Sequence, residues 1–143
     1  MLFTNYLTVN EQDTEWGLTI HTVGFQEVAP HSVYPPRDRN HTSKHMFNPE
    51  KGRILDEYQL IYIVDGSGTF ESSSCTKRQI KVGDIFLLFP GEWHTYSPNK
   101  ETGWKEYWIG FKGPNMDDHV KSGFFAKEHP VYNVGYNDSI INL

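Results

Sequence analysis

Residues 83–99 read GDIFLLFPGEWHTYSPN. Gly83-Asp84 opens a strand, Ile85 to Phe89 is apolar on both faces, Pro90-Gly91 turns the chain, and His94 and Tyr96 follow on the next strand. Successive strand side chains point to opposite faces, so His94 and Tyr96 share one. A buried strand, a tight turn and a strand with polar groups on one face form the layout of a small β-barrel that delivers polar side chains to its interior.

Downstream, Trp104, Glu106 and Trp108 alternate with Lys105, Tyr107, Ile109 and Phe111. Neither set is clearly more polar, so periodicity leaves open which one faces inward. Upstream, Tyr58 to Val64 is followed by Asp65-Gly66-Ser67-Gly68, whose glycines supply positive φ at no steric penalty. This predicts a hairpin with Thr69 to Ser72 as its returning arm. Gln79 to Val82 and Ile85 to Phe89 read as strands split by Gly83-Asp84. Trp93 to Ser97 and Trp104 to Phe111 read as a further pair joined by the polar turn Pro98 to Gly103.

Trp16 to Val28 has period-two character and predicts an early strand, preceded by an N-terminal arm over about residues 1–15. Ala29 to Gly52 carries Pro30, Pro35, Pro36 and Pro49 together with His31, His41 and His45. It reads as a loop able to cover a barrel mouth, with one short strand around His45 to Phe47. Helical spacing comes late, in Met116, Val120, Phe124 and Phe125 after Pro114-Asn115, and Asn137-Asp138-Ser139 reads as the N-cap of a helix beginning with Ile140. The chain stops as that helix starts, which suggests a piece of a longer protein. Closely spaced strands without intervening helices predict an all-β antiparallel jelly roll or barrel over about 16–113, with a short C-terminal helical part over 114–143.

A chain of 143 residues is one domain by the usual size prior. Its net charge of −5 and pI of about 5.7 lack the basic excess that neutralises phosphates, which argues against nucleic-acid binding by this part alone. Cys75 is the only cysteine, so neither an internal disulfide nor a thiolate zinc cluster can form. The N-terminus shows no basic or long apolar targeting pattern, and no stretch approaches the roughly 18 apolar residues of a membrane span. The expectation is a soluble, cytoplasmic protein without a membrane partner.

Gly83-Asp84, Pro90-Gly91 and His94 resemble the second cupin motif. A larger pattern resembles the N-terminal sensing domain of AraC-type transcription regulators: Gly52-Arg53, Tyr58 to Ile63, Gly66-Ser67-Gly68, Gly83 to Tyr96, then Trp104 to Phe111. It covers roughly residues 50–113. The resemblance implies a cupin-like barrel that binds a small effector, often a sugar, and a homodimer. It also implies DNA contact only through a separate helix-turn-helix segment, which this chain lacks.

By matched position the resemblance places Arg53 at the barrel mouth, where its fork of donors suits vicinal hydroxyls. It places Tyr96 at a sugar-contacting position and Trp108 where an indole stacks on a sugar ring. His94 shares the face of Tyr96, Glu106 lies between two tryptophans with Arg53 as its expected partner, and Gln26 matches a contact position on the early strand. The plainer alternatives are a surface arginine paired with Asp56 or Glu57, a satisfied core histidine and tyrosine, and outward-facing residues at 104, 106 and 108.

No catalytic residues, metal or cofactor are expected. A metal-dependent cupin enzyme acting on a small polar metabolite, the main rival, needs about three imidazoles and a carboxylate on neighbouring strands. Tyr58 to Phe70 holds no histidine, His94 stands alone in its motif, and His41 and His45 fall in the proline-rich loop. A barrel filled by side chains and serving only dimerisation is the third reading.

Overall fold

One strand, β4 (Tyr58–Ser72), organises the molecule, because its two halves belong to different sheets. A computed structural model describes residues 1–36 and 47–142. The other elements are β1 (Leu2–Tyr6), α1 (Glu11–Trp16), β2 (Thr19–Val28), β3 (Arg53–Ile54), β5 (Arg78–Lys81), β6 (Asp84–Leu88), β7 (Trp93–Pro98), β8 (Trp104–Lys112), α2 (Pro114–Lys121), β9 (Val131–Asn133) and α3 (Asp138–Ile141). The first half of β4 pairs antiparallel with β8 and β6 in a sheet ordered β1-β2-β8-β4-β6-β9. Its second half pairs with β5 and β7, and β3 extends that second sheet beyond β7. Two antiparallel sheets joined by a shared strand make the expected jelly roll.

The expected hairpin at Asp65 to Gly68 is instead a bend within β4. The register shifts between Ile63 and Asp65, and the strand continues. Gly66 has φ +80, and a Cβ there would collide with the Gly103 carbonyl, so the glycine serves a close approach and a bulge rather than a chain reversal. The expected pairing of β7 with β8 is also absent. β7 pairs with β3 and β4, and β8 with β2 and β4, on opposite sheets.

The N-terminal arm is built into the fold. β1 pairs with β2 from Leu2↔Gln26 to Tyr6↔Thr22. α1 follows, fixed by a capping box in which the Asn10 side chain accepts from the Asp13 amide and the Asp13 carboxylate accepts from the Asn10 amide. Trp16 ends this helix and is 77% exposed, and the strand begins only at Thr19. The faces of this strand separate by alternation. Thr19, Thr22, Gly24, Gln26 and Val28 turn inward, whereas Leu18 and Ile20 are exposed.

Between the sheets lies an apolar core that includes Ile61, Ile63, Phe70, Ile80, Phe86 and Trp104. A second cluster, Tyr58, Leu87, Phe89 and Met116, sits on the outer side of the first sheet beneath α2. Tyr58 anchors that helix by donating its hydroxyl to Asp117 at 2.7 Å. Asn137 caps α3 as expected, and α3 begins at Asp138. The short strand expected around His45 to Phe47 falls mostly outside the described residues, and Phe47 itself is not in a strand. No described helix is long and apolar enough to cross a membrane.

Candidate ligand-binding site

Inside the barrel two polar groups face each other. The first is built on β3 and β7. Arg53 pairs with His94 in the β3–β7 register, and its Nε–H donates to His94 Nε2 at 3.0 Å. One terminal nitrogen of Arg53 donates to the Tyr96 hydroxyl at 2.7 Å and to Gln59 Oε1 at 3.4 Å. Gln59 Nε2 in turn donates to Glu57 at 3.3 Å. Residues 53, 94 and 96 thus converge as the sequence predicts, and His94 and Tyr96 share a face with their rings stacked 6.0 Å apart.

Burial and the neighbouring guanidinium push the His94 imidazole down to about 3, so it is neutral across the physiological range. Its Nδ1 lies 3.4 Å from the Glu92 carbonyl, which suits the tautomer that accepts from Arg53 at Nε2. Burial raises the Tyr96 phenol to about 12 against the pull of Arg53.

The second group lies on β2 and β8, where Gln26 faces Glu106 directly across the strand pair. The direction that periodicity left open is settled here. Trp104 and Glu106 are buried, Trp108 packs on the core, and the alternate residues of β8 turn outward. Trp108 lies over Gly24, whose missing side chain makes room for the indole. Gly110 leaves a similar hollow between Thr22 and the Glu57 carboxylate.

Four buried atoms of this wall have no hydrogen-bond partner: Thr22 Oγ1, Gln26 Nε2, Trp104 Nε1 and Glu106 Oε2. Burial pushes the Glu106 carboxyl up to about 8, while Arg53 and the Trp104 indole N–H pull it down. The indole lies near enough to act electrostatically, yet neither Trp104 Nε1 nor Glu106 Oε2 completes a hydrogen bond. Arg53 therefore influences Glu106 through its field, while its hydrogen bonds described above go to His94, Tyr96 and Gln59. Buried polar groups are nearly always satisfied, so a cluster of unsatisfied ones marks a place for a guest or for water.

Tyr34 and Phe47 close the interior. Phe47 stacks on Tyr96 at 4.8 Å between centroids and lies 4.7 Å from the Arg53 guanidinium. Tyr34 meets Trp104 edge-on at 6.5 Å, and burial together with Glu106 holds its phenol well above the usual range. The turn after Phe47 is pinned to β7, since Trp93 Nε1 donates to the Lys51 carbonyl at 2.9 Å and the Thr95 hydroxyl to that of Pro49. Beyond these rings an open cleft of about 570 Å³ is lined by Ser32, Asn48, Ser97, Asn99 and Lys100 among others. Tyr34 and Phe47 line it too, so they separate the cleft from the polar cluster beneath.

Tyr34, Phe47, Gln59 and Thr22 went unread in the sequence. Thr22-x-Gly24-x-Gln26 carried a usable signal: polar residues two apart around a glycine on a strand, opposite the tryptophan that the glycine accommodates. His41 and His45 lie outside the described residues, and among those described no group of three or more His, Cys, Asp or Glu is arranged to hold a metal.

The chain is 38% identical over 70 residues to the raffinose operon transcriptional regulatory protein RafR of Pediococcus pentosaceus, an alignment spanning 49% of this chain and 25% of that protein. It is 27% identical over 78 residues to the lactose operon transcription activator of Staphylococcus xylosus, spanning 54% of this chain and 28% of that one. The chain thus aligns with about a quarter of the length of these curated relatives. Among solved structures, YhaK from Escherichia coli superposes with a TM-score of 0.58 at 13% identity over 96% of this chain and 52% of that one, a likeness of fold. The model of the AraC-like ligand binding domain matches residues 37–136, and the chain belongs to that family.

Proposed function

We propose that this chain is the effector-sensing part of a sugar-responsive transcription regulator, that it binds a small carbohydrate inside the barrel, and that it performs no turnover. The observation that carries this reading is the set of unpartnered buried atoms around Trp108. Thr22, Gln26, Trp104 and Glu106 offer donors and acceptors beside a flat indole. A pyranose presents hydroxyls at its edge and C–H groups on its face, and so meets both demands. Arg53, His94 and Tyr96 form the opposing wall, ordered by their own hydrogen bonds before any guest arrives.

The named relatives belong to raffinose and lactose operons, and both sugars carry a galactosyl unit, which makes galactosides the first class to test. The guest enters when Tyr34 and Phe47 swing toward the outer cleft. Its binding then biases the regulator through differential affinity for two arrangements. Dimerisation and DNA contact through a separate domain complete the proposal. The rival, metal-dependent chemistry, is opposed by the His94 Nε2 lone pair, which already accepts from Arg53.

Thermal denaturation against raffinose, lactose, melibiose, galactose, glucose and arabinose tests the reading. A concentration-dependent rise in Tm with at least one sugar is expected, and removed by Trp108→Ala. A flat response across the panel, or stoichiometric iron or manganese in protein purified without chelator, overturns it.

A further inference from the structure

Residues 135–142 are held to the barrel by very little, and most of it passes through one side chain. Up to Val134 the chain is anchored in the sheet: β9 pairs with β6, the Asn133 amide donates to the buried Asp84 carboxylate at 2.8 Å, and the Val134 N–H donates to the Gly83 carbonyl at 2.9 Å. Beyond it α3 buries no residue, and Tyr136 and Ile140 are exposed. Among the described residues, the hydrogen bonds that join 135–142 to the barrel are those of the Tyr62 hydroxyl, which donates to the Gly135 carbonyl at 2.7 Å and accepts from the Asn137 amide at 2.9 Å. A close approach of the Gly83 and Gly135 backbones adds to them. Other bonds of the segment are local, such as Tyr136 to Asp138 and the Ser139 amide to Asn137. A segment with so few buried contacts opens at low free energy.

Tyr62 cannot follow such an opening. It is 2% exposed and sits mid-sheet, in register with Tyr107 on one side and Ile85 on the other. Its chain neighbours face the opposite way. Ile61 and Ile63 are buried in the core and lie in register with Trp108 and Glu106, groups of the proposed sugar site. The Ile63 carbonyl also accepts from the Gly83 amide at 2.8 Å. Both attachments of the segment, through Gly83 and through Tyr62, therefore converge on adjacent residues of β4.

We propose that Tyr62 is a latch whose closed form holds residues 135–142 on the back of β4, and that a guest bound at Trp108 and Glu106 favours the closed form. The second half rests on the sugar-sensing reading, and the first does not. A guest that bridges these β8 side chains restrains the ladder between β8 and β4, and with it the ring that carries the latch. Coupling between two equilibria is reciprocal, so the closed latch raises sugar affinity from the far side of the sheet.

Hydrogen exchange followed by mass spectrometry on wild type, Tyr62→Phe and Gly135→Ala tests the latch without any ligand. Tyr62→Phe keeps the ring and removes the hydroxyl. Gly135→Ala has room for its methyl group but disfavours the φ of +71 at which Gly135 presents its carbonyl. Exchange over 135–142 is expected to be about 10-fold faster in both, with β4, β6 and β8 at wild-type rates. Wild-type exchange over 135–142 in Tyr62→Phe overturns the latch. Should that variant lose protection across the whole barrel, Gly135→Ala decides by the same criterion.

The six sugars named above then test the coupling. A sugar that slows exchange in β8 is expected to slow it over 135–142 in wild type but not in Tyr62→Phe, and to bind Tyr62→Phe about 5-fold or more weakly by calorimetry. Slower exchange in β8 with none over 135–142 overturns the coupling and leaves the sensor reading intact. No response in β8 to any of the six removes that reading and the coupling together, while the ligand-free comparison still decides the latch.

Discussion

The indole of Trp108 occupies the space that a side chain on Gly24 would need, so the position of this ring is set by an absence on the neighbouring strand. Gly24→Ala is therefore expected to displace the indole while leaving the chemical identity of every side chain proposed to touch the sugar unchanged. Sugar affinity should fall about 10-fold or more, with a stability loss of about 1–3 kcal/mol from overpacking. Intrinsic tryptophan fluorescence and titration calorimetry report the two effects. An unchanged Kd in a folded Gly24→Ala protein would remove Trp108 from the binding surface.

Glu106 and His94 give stability opposite pH slopes. The Glu106 carboxyl is raised from 4.5 to about 8, so its contribution is fully present below its unfolded value and is lost as pH rises through about 8. The His94 imidazole is lowered from 6.5 to about 3, so the fold loses stability as pH falls below 6.5 toward 3. Denaturant melts between pH 5 and pH 9 should show Glu106→Gln gaining stability over wild type on the alkaline side, on the order of a few kcal/mol. Parallel profiles for the two proteins would mean that Glu106 stays ionised in the fold.

Arg53 donates to His94, Tyr96 and Gln59 from a planar fork, and lysine cannot reproduce that geometry. Arg53→Lys keeps the charge but leaves Tyr96 or His94 short of a partner, at a stability loss of about 1–3 kcal/mol. Sugar binding should drop at the same time. If Arg53→Lys binds sugar as wild type does, the charge alone suffices and the fork plays no part.

Phe47 covers both Tyr96 and the Arg53 guanidinium. Phe47→Ala should speed sugar dissociation about 10-fold while association stays equal or becomes faster, a pattern that stopped-flow fluorescence resolves. Dissociation at the wild-type rate would show that the ring is not the barrier to exit.

His94 and Tyr96 were legible together because alternation alone puts them on one face, and the Pro90-Gly91 turn before them admits few readings. The direction of Trp104, Glu106 and Trp108 was not legible, since β8 is apolar on both faces. Its outer side packs against α2 through Phe111, and pairs Tyr107 with Phe25 at 4.7 Å. Gly66-Ser67-Gly68 misled for a physical reason: the same freedom of φ serves a hairpin turn or a bulge, and the choice lies in the distant Gly103 carbonyl. α1 escaped notice because its six residues bury none, leaving the Asn10–Asp13 capping box as the one local sign. Thr22 and Gln59 became visible as site residues only when the sheet brought them beside Gly110 and Arg53.

Tyr62 donates to the Gly135 carbonyl at 2.7 Å and accepts from the Asn137 amide at 2.9 Å, fastening residues 135–137 to the outside of β4. Its immediate neighbours, Ile61 and Ile63, line the interior, and Ile63 sits in register with Glu106. Three consecutive residues of one strand thus tie the inner wall of the barrel to the base of α3, with no loop between the two ends of the connection.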